Sequence, residues 1–286
     1  MMNIELSEEE KSRIQDIEIN LFLEAVNERY GYDFRKYSMA YIKRRLLASL
    51  RKNNARSISE LQYKILYDID FFRSMLIDIS LNVTEMFRDP KFFVAVRETV
   101  LPILRTYPFI KIWHAGCSTG EEVYSMAILL SEEGLLERTI IYATDFNTQV
   151  VKKASEAIYP VENIKQYSAN YYKAKGKGEF SDYFTVKYGS AIIDQKLKKS
   201  IVFSDHNLVS DGVFGEMNLI VCRNVLIYFN RELQNRVLTL FTDSLIPGGV
   251  LCLGTKETLL FYPDKLKYNQ LSKMNIFRKA YETAVR

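Results

Sequence analysis

The stretch "FIKIWHAGCSTGEEVYSMAILL", residues 109–130, decides the fold of this 286-residue chain. An apolar run leads into a turn with two glycines and then into a helix-forming segment, the pattern of a strand that turns into a helix. Such turns usually bind phosphate, because a helix N-terminus attracts negative charge. This turn carries Glu121 and Glu122 instead, and it lacks the Gly-x-Gly-x-x-Gly spacing of dinucleotide-binding turns. We therefore expect a ligand without a phosphate.

Strands and helices alternate along the rest of the chain beyond about residue 100. This alternation is typical of a parallel sheet wrapped by helices. Residues 160–200, rich in Tyr, Lys and Gly, interrupt it and are predicted to form a helix and an inserted antiparallel hairpin. The C-terminal "KMNIFRKAYE" is predicted to add an edge strand. The predicted strands are 110–116, 139–144, 201–205, 217–222 and 249–254, and the predicted helices are about 121–133, 147–157 and 230–244.

Residues 1–80 have a different, all-helical pattern. Ser7 and Glu10 have the spacing of a capping box, which opens a helix predicted to run to Gly31. Residues 37–53 form a second predicted helix, in which basic side chains lie largely away from the apolar face. The basic residues of this region are Lys43, Arg44, Arg45, Arg51, Lys52 and Arg56.

The composition indicates an ordinary globular protein and argues against several other classes. It is 48% hydrophobic and 26% charged, as in ordinary globular proteins, and the net charge of +4 does not demand a nucleic-acid partner. No apolar run reaches the roughly 20 residues of a membrane span, and no signal peptide is evident. Three cysteines without C-x-x-C spacing and two histidines argue against a metal site. We expect a cytoplasmic protein.

Polar side chains follow four of the predicted strands, where ligands of open α/β sheets bind. Asp145 is suited to ribose hydroxyls, and the amides of Asn207 and Asn224 are suited to a purine edge or an amino-acid head group. Glu122 suits hydroxyls or a positive charge, whereas Glu121 is expected to complete a capping box with Ser118. A ribose, a purine and a cationic centre without phosphate describe S-adenosylmethionine.

Four motifs extend this interpretation to a family. They are "NVTEMFRDPKFF" (82–93), "AGCSTGEEVYS" (115–125), "ATDFNTQVVKKASEAIYP" (143–160) and "CRNVLIYFN" (222–230). Together they resemble the CheR-type chemotaxis receptor glutamate O-methyltransferases nearly end to end. The resemblance implies a helical receptor-docking domain (1–80), a linker motif that closes over the cofactor (81–100) and a methyltransferase domain (101–286). The last would be a Rossmann-like class I α/β domain with a β-subdomain inserted at about 160–200.

The resemblance also implies roles for individual residues. Arg88 would orient the acceptor, unless it only forms a salt bridge with Asp89, and Tyr228 would lie near the transferred methyl group. Arg45 and Arg51 match docking arginines of the family. The matched cofactor contacts are Asn82, Thr84, Arg88, Glu122, Asp145, Asn207, Leu208, Asn224 and Val225.

Three residues depart from the family pattern. Val123 stands where proline is frequent, His114 where a small residue is common, and Lys256 lies in "GTKET", where the family often has Gly-x-Ser-Glu.

The resemblance implies methyl transfer from S-adenosylmethionine to glutamate carboxylates of an acidic chemoreceptor helix bundle, with S-adenosylhomocysteine as the product. A receptor tail peptide could bind the β-subdomain, and a monomer is expected. One alternative is methylation of RNA or of protein amines, although the Asn/Asp-Pro-Pro-Tyr loop of amine-directed enzymes is replaced by "RNVLIY". A second is a non-catalytic cofactor-binding scaffold. A nicotinamide dehydrogenase ranks last.

Overall fold

The computed structural model describes residues 7–80 and 84–281, which form two compact units. The helical unit contains the described residues up to Ser80 together with Tyr228–Gln234. The α/β unit contains those from Thr84 to Ile227 and from Asn235 onward. No helix in these described ranges is long and apolar enough to cross a membrane.

Within the helical unit, residues 7–80 form the helices α1 (Glu8–Tyr30), α2 (Met39–Lys52), α3 (Ile58–Tyr67) and α4 (Ile69–Ile79). The predicted capping box is confirmed, since the Glu10 N–H donates to Ser7 Oγ at 3.2 Å and the Ser7 N–H donates to Glu10 Oε2 at 2.8 Å. α1 ends at Gly31, whose φ of 75° favours glycine. Phe22 and Leu46 are fully buried in the core of this unit.

The α/β unit contains a seven-stranded sheet in the order β6-β2-β1-β7-β8-β10-β9. Strands β6, β2, β1, β7 and β8 are parallel, and β10 and β9 are antiparallel additions. The sheet strands are β1 (Ile110–Ala115), β2 (Thr139–Asp145), β6 (Ile201–Asp205), β7 (Met217–Cys222), β8 (Leu245–Leu253), β9 (Tyr268–Ser272) and β10 (Ile276–Lys279). The helices are α5 (Pro90–Ala95), α6 (Leu101–Leu104), α7 (Glu121–Glu132), α8 (Thr148–Glu156), α9 (Ile164–Lys173), α10 (Gln195–Lys198) and α11 (Arg231–Ser244).

The predicted parallel strands and the α/β class are confirmed. The strand predicted in "KMNIFRKAYE" is present as β10, but its predicted place at the edge of the sheet is wrong. β10 pairs with both β8 and β9, so β9 forms the edge of the sheet. The sequence of β9, "YNQLS", has little of the apolar alternation by which strands are recognised, because much of this edge strand faces solvent.

The predicted insertion is also present. The expected hairpin consists of β4 (Phe184–Lys187) and β5 (Ser190–Ile193), and α9 precedes it. A third strand, β3 (Ile158–Pro160), pairs antiparallel with β5 and was not predicted, because three residues are too few to show a period.

Glu132, at the C-terminal end of α7, joins the base of this insertion to the core. Its carboxylate accepts hydrogen bonds from the hydroxyls of Tyr171 and Tyr183 and from the Lys177 N–H. It also pairs with Arg97, whose side chain is 9% exposed, while that of Glu132 is 3% exposed. This buried carboxylate thus connects α7 to the segment around Arg97 and to residues 171–183 of the insertion.

We expect Glu132→Ala to destabilise the protein by about 3 kcal/mol, because Arg97 keeps only Glu133 as a carboxylate partner and the hydroxyls of Tyr171 and Tyr183 lose this acceptor. Urea-induced unfolding measures the loss. Glu137→Ala, at an exposed position, is the control and should change stability by less than about 0.5 kcal/mol. Equal effects of the two substitutions would contradict this account of Glu132.

Candidate functional site

The order of the strands places the site at the carboxyl ends of β1, β2 and β7. β1 is the first strand of the sheet in sequence, and its neighbours are β2 and β7, so the strand order reverses there. Crevices at such points bind ligands in open α/β sheets. The register pairs Ala115 with Thr144 and His114 with Val221, which brings the segments after these residues together.

The glycine turn that follows β1 allows two loops to approach closely. Gly116 has a φ of +80°, and a Cβ atom there would lie 2.5 Å from Val225 Cγ2. Gly120 has a φ of +92° and is the residue preceding α7. Side chains at these two positions would therefore separate the turn from its neighbours.

The predicted capping box between Ser118 and Glu121 is wrong. α7 begins at Glu121 with Gly120 as its N-cap, and Ser118 lies outside the helix with a φ of 51°. The Glu121 carboxylate instead accepts a hydrogen bond from Thr119 Oγ1 at 2.6 Å. Burial raises the pKa of Glu121 to about 7, although this hydrogen bond lowers it.

Asp145, at the end of β2, connects two strand ends. Its Oδ2 accepts the Ser118 N–H at 3.0 Å, and its Oδ1 accepts the Asn147 N–H at 3.1 Å. Burial raises its pKa to about 6, although these backbone hydrogen bonds lower it. The Phe146 N–H also lowers this pKa, so three of about four lone-pair positions face backbone donors and one could accept a ligand hydroxyl.

Glu122, whose side chain is 19% exposed, lies in a group of charges rather than alone. Its Oε2 is 2.6 Å from Arg223 Nη1, and its Oε1 is 3.3 Å from His114 Nδ1. Nη2 of the same arginine binds Asp89 Oδ2 at 2.7 Å, and the guanidinium stands 4.0 Å from the centre of the Phe92 ring. The Arg223 side chain is only 1% exposed. Burial alone raises the pKa of Glu122, but the charge of Arg223 and the contact with His114 outweigh it and lower the pKa to about 2.

Arg223 and His114 are thus part of the site, although the sequence analysis gave neither a role. The motif containing Arg223 was identified, but local sequence does not show its partners. Asp89, considered above as a partner for Arg88, pairs with Arg223.

A second buried carboxylate fixes the loop after β7. Glu257 accepts the backbone N–H groups of Asn224 at 3.0 Å and Val225 at 2.8 Å, and it also accepts that of Gly254. Burial raises the pKa of Glu257, although these hydrogen bonds lower it. The sequence analysis singled out the neighbouring Lys256, which is exposed, and did not predict a role for Glu257. The feature of the sequence that could have predicted this role is an acidic residue in "GTKET", just beyond a buried strand.

The loop after β6 holds two further predicted residues. Asn207 forms a local turn, since its Oδ1 accepts the Val209 N–H at 3.0 Å and its own N–H donates to Asp211 Oδ2 at 2.8 Å. Leu208 is buried, and its carbonyl accepts a hydrogen bond from Arg236 at 2.6 Å. Both therefore lie beyond the strand that neighbours β2.

The linker motif 84–89 is held in an unusual backbone conformation. Phe87 and Asp89 have φ values of 53° and 56°, and the Phe87 N–H donates to Ser125 Oγ at 2.8 Å. Thr84 and Arg88 line one pocket, with a volume of about 370 Å³. Asn82 lies outside the described residues.

The other three predicted residues belong to the helical unit. The Tyr228 ring lies 4.5 Å from the Tyr41 ring between centroids. This contact does not test the catalytic role of Tyr228, which stays a prediction from the motif. Arg45 is half-buried and donates from Nε to the Asp78 carbonyl at 2.6 Å, whereas Arg51 is exposed.

We expect Arg223→Met to destabilise the protein by about 3–5 kcal/mol at pH 8, because it leaves the carboxylate of Glu122 buried without its cation. The wild-type contribution is fully present above the ordinary pKa of 4.5 and is lost only as pH falls towards about 2. In the variant, burial is no longer opposed by the guanidinium and raises the pKa of Glu122. The difference in stability should therefore shrink from pH 8 to pH 5.

Urea unfolding at the two pH values measures this difference. Arg138→Met removes a peripheral arginine that donates to the Arg105 carbonyl, and it should cost less than about 0.5 kcal/mol at both pH values. A loss for Arg223→Met that is small, or that grows towards pH 5, would contradict the assignment.

Comparison with known proteins identifies the family to which this chain is similar. Residues 82–275 match the family model described as CheR methyltransferase, SAM binding domain, and residues 17–80 match that described as CheR methyltransferase, all-alpha domain. The chain is 51% identical to the putative methyltransferase Cher3 of Pseudomonas putida, over 94% of this chain and 98% of that protein. It is 31% identical to a chemotaxis protein methyltransferase of Listeria monocytogenes, over 84% and 89%.

The residues at the strand ends fit S-adenosylmethionine, since the glycine turn presents carboxylates and Glu122 keeps its negative charge. The chain belongs to the CheR family of chemotaxis-type, S-adenosylmethionine-dependent methyltransferases.

Proposed function

We propose that this protein methylates glutamate side chains of chemoreceptors and forms glutamyl methyl esters. The match to both CheR domain models along 17–80 and 82–275 carries the proposal, and the relative from Listeria monocytogenes is named a chemotaxis protein methyltransferase. The pathway would then be chemotactic adaptation.

The strand-end residues are proposed to hold the cofactor. When bound, S-adenosylmethionine supplies a methyl group on a positively charged sulfur. Asp145 would accept a hydrogen bond from a ribose hydroxyl with its remaining lone pair, and Glu122 would place a permanent negative charge near the cationic end. Asn82, Thr84, Asn207, Leu208, Asn224 and Val225 complete the proposed contacts.

The chain needs to supply no general base for this reaction, because a glutamate acceptor is already ionised at pH 7. Its task is to hold the acceptor oxygen in line, and positioning of this kind can lower a barrier by about 7–11 kcal/mol. Arg88 is proposed to orient the acceptor, since a guanidinium binds a carboxylate through two parallel hydrogen bonds.

Labelled S-adenosylmethionine and acidic chemoreceptor cytoplasmic fragments test the reaction. Alkali should release the transferred label as volatile methanol, which identifies a carboxyl methyl ester. Label that survives alkali would favour the alternative of an amine or RNA acceptor. Binding of S-adenosylhomocysteine without transfer to any fragment would favour a non-catalytic scaffold.

We expect Arg88→Ala to lower kcat about 100-fold, the scale for loss of one well-placed charged donor. Arg88→Lys should recover part of the rate, because the charge remains while the fork is lost. Calorimetric titration with S-adenosylhomocysteine separates a loss of transfer from a loss of cofactor binding. An unchanged kcat in Arg88→Ala would reject the role.

The helical unit is proposed to dock on the acidic receptor bundle through α2. Two of its basic side chains are paired within the unit: Lys43 lies 3.2 Å from Asp16, and Lys52 lies 2.8 Å from Asp78. Arg44 and Arg51 are exposed. Because Arg45 also binds the Asp78 carbonyl, its replacement would disturb the unit itself. Arg44 and Arg51 are therefore the better probes.

Reversal of both charges, Arg44→Glu with Arg51→Glu, should raise the receptor KM about tenfold at low salt, because the docking face then repels an acidic partner. The effect should weaken at high salt, where charges are screened. The control is Arg13→Glu with Arg73→Glu, the same change in net charge at exposed positions on α1 and α4. Equal KM values for the two double variants would exclude docking through this face.

A further inference from the structure

The pocket beside Arg88 has two walls, and the linker segment that carries Arg88 forms one of them. The second wall is formed by residues that the family motifs do not assign to the site. This wall is the start of α9, and it faces the linker segment across a volume of about 370 Å³, within the range of about 300–1,000 Å³ for ligand pockets. The pocket is lined by Thr84, Glu85, Arg88, Asn163, Gln166 and Tyr167.

The two walls are joined by hydrogen bonds behind the pocket. Asn170 Nδ2 donates to the Met86 carbonyl at 3.1 Å, and Gln166 Nε2 donates to Asn170 Oδ1 at 3.0 Å. A chain of bonds therefore runs from the linker to the pocket-lining amide of Gln166. Such a pocket is largely formed before any ligand enters it.

Tyr167 connects this pocket to the strand-end site. Its side chain is buried, and the Asn163 amide lies 3.4 Å from its hydroxyl. Burial raises the pKa of Tyr167, and the charges of Glu121 and Glu85 raise it further. The Tyr167 ring lies 6.5 Å from the Tyr159 ring between centroids, and the Tyr159 hydroxyl donates to the Thr119 carbonyl of the glycine turn at 2.8 Å. One aromatic contact and one hydrogen bond therefore link the pocket to the glycine turn.

The polar groups of the pocket suit an acidic side chain. Arg88 contributes a cation, while the amides of Asn163 and Gln166 contribute donors without charge. Glu85 places one negative charge in the same pocket and so opposes an anionic ligand. Replacing either an amide or this acid should therefore change the affinity for an anion, in opposite directions.

We propose that this pocket is the acceptor subsite, and that Asn163, just before α9, and Gln166, on α9, select a side chain bearing a carboxylate. The inference rests on the proposed glutamate methylation and adds the residues that determine specificity for its acceptor. Gln166 is a specificity-determining residue here, and Glu85 limits the affinity of the subsite for its anionic ligand.

The first test introduces a negative charge into the α9 wall. Gln166→Glu should raise the receptor KM at least about tenfold through repulsion of the acceptor carboxylate, with unchanged affinity for S-adenosylhomocysteine. Lys165→Gln is the matched control, because it changes the net charge equally at the adjacent exposed position, outside the pocket lining. The control should alter KM less than about twofold, as expected for a solvent-screened site.

The second test removes a negative charge from the other wall. Glu85→Gln should lower the receptor KM about threefold to tenfold, the opposite sign to the first test, because a repulsive charge is lost. Glu162→Gln makes the same change in charge at an exposed position outside the pocket lining and should leave KM nearly unchanged.

The outcomes separate this inference from the proposed function. If the wild-type protein forms alkali-labile esters while each pocket variant matches its control, the acceptor subsite is wrong and glutamate methylation stands. If the pocket variants instead change S-adenosylhomocysteine affinity with the receptor KM constant, the pocket serves the cofactor and the inference is again overturned. If the wild-type protein forms no alkali-labile ester on the fragments, the proposed function fails first.

Discussion

The guanidinium of Arg223 is the interaction on which the site depends. A buried cation is tolerated only when acids surround it, and Arg223 meets this requirement with Asp89 on one side and Glu122 on the other. Asp89 immediately precedes α5, and Glu122 lies in the first turn of α7. One side chain after β7 thereby fixes the linker motif against the helix that follows the glycine turn. Because Arg88 is adjacent to Asp89 in the chain, the ion pair between Asp89 and Arg223 also restricts the backbone position of Arg88.

Three carboxylates near the strand ends have different tasks because their surroundings differ. Glu122 faces Arg223 and stays ionised. Asp145 and Glu257 face backbone N–H groups, and burial raises the pKa of each. They accept the donors of loops that would otherwise have unpaired groups in the interior. The close approach of Gly116 to Val225 is possible because Glu257 holds the Val225 backbone in place.

The sequence predicted those features that depend on local pattern. The strands β1, β2, β6 and β7 are short apolar runs, and the α1 capping box joins residues three apart. Features that depend on distant pairing were not predictable: Arg223 meets partners 101 and 134 residues away, and Glu257 meets backbone groups 32 and 33 residues away. Ser118 and Glu121 show the converse error, since their spacing fits a capping box but the two glycines let the turn extend to Gly120.

These charges explain how a site that already contains several carboxylates could bind a further carboxylate, that of the proposed acceptor. The charge of Glu122 is balanced by Arg223, and a pKa of about 7 leaves Glu121 partly protonated at neutral pH. Because the proposed carboxylate acceptor needs no base, acids near it would serve to place the cofactor and the loops, and their charges would have to be offset for the acceptor to approach. Arg223 therefore has two consequences at once: it orders the linker that carries Arg88, and it offsets an acid charge that would otherwise repel the acceptor that Arg88 is proposed to orient.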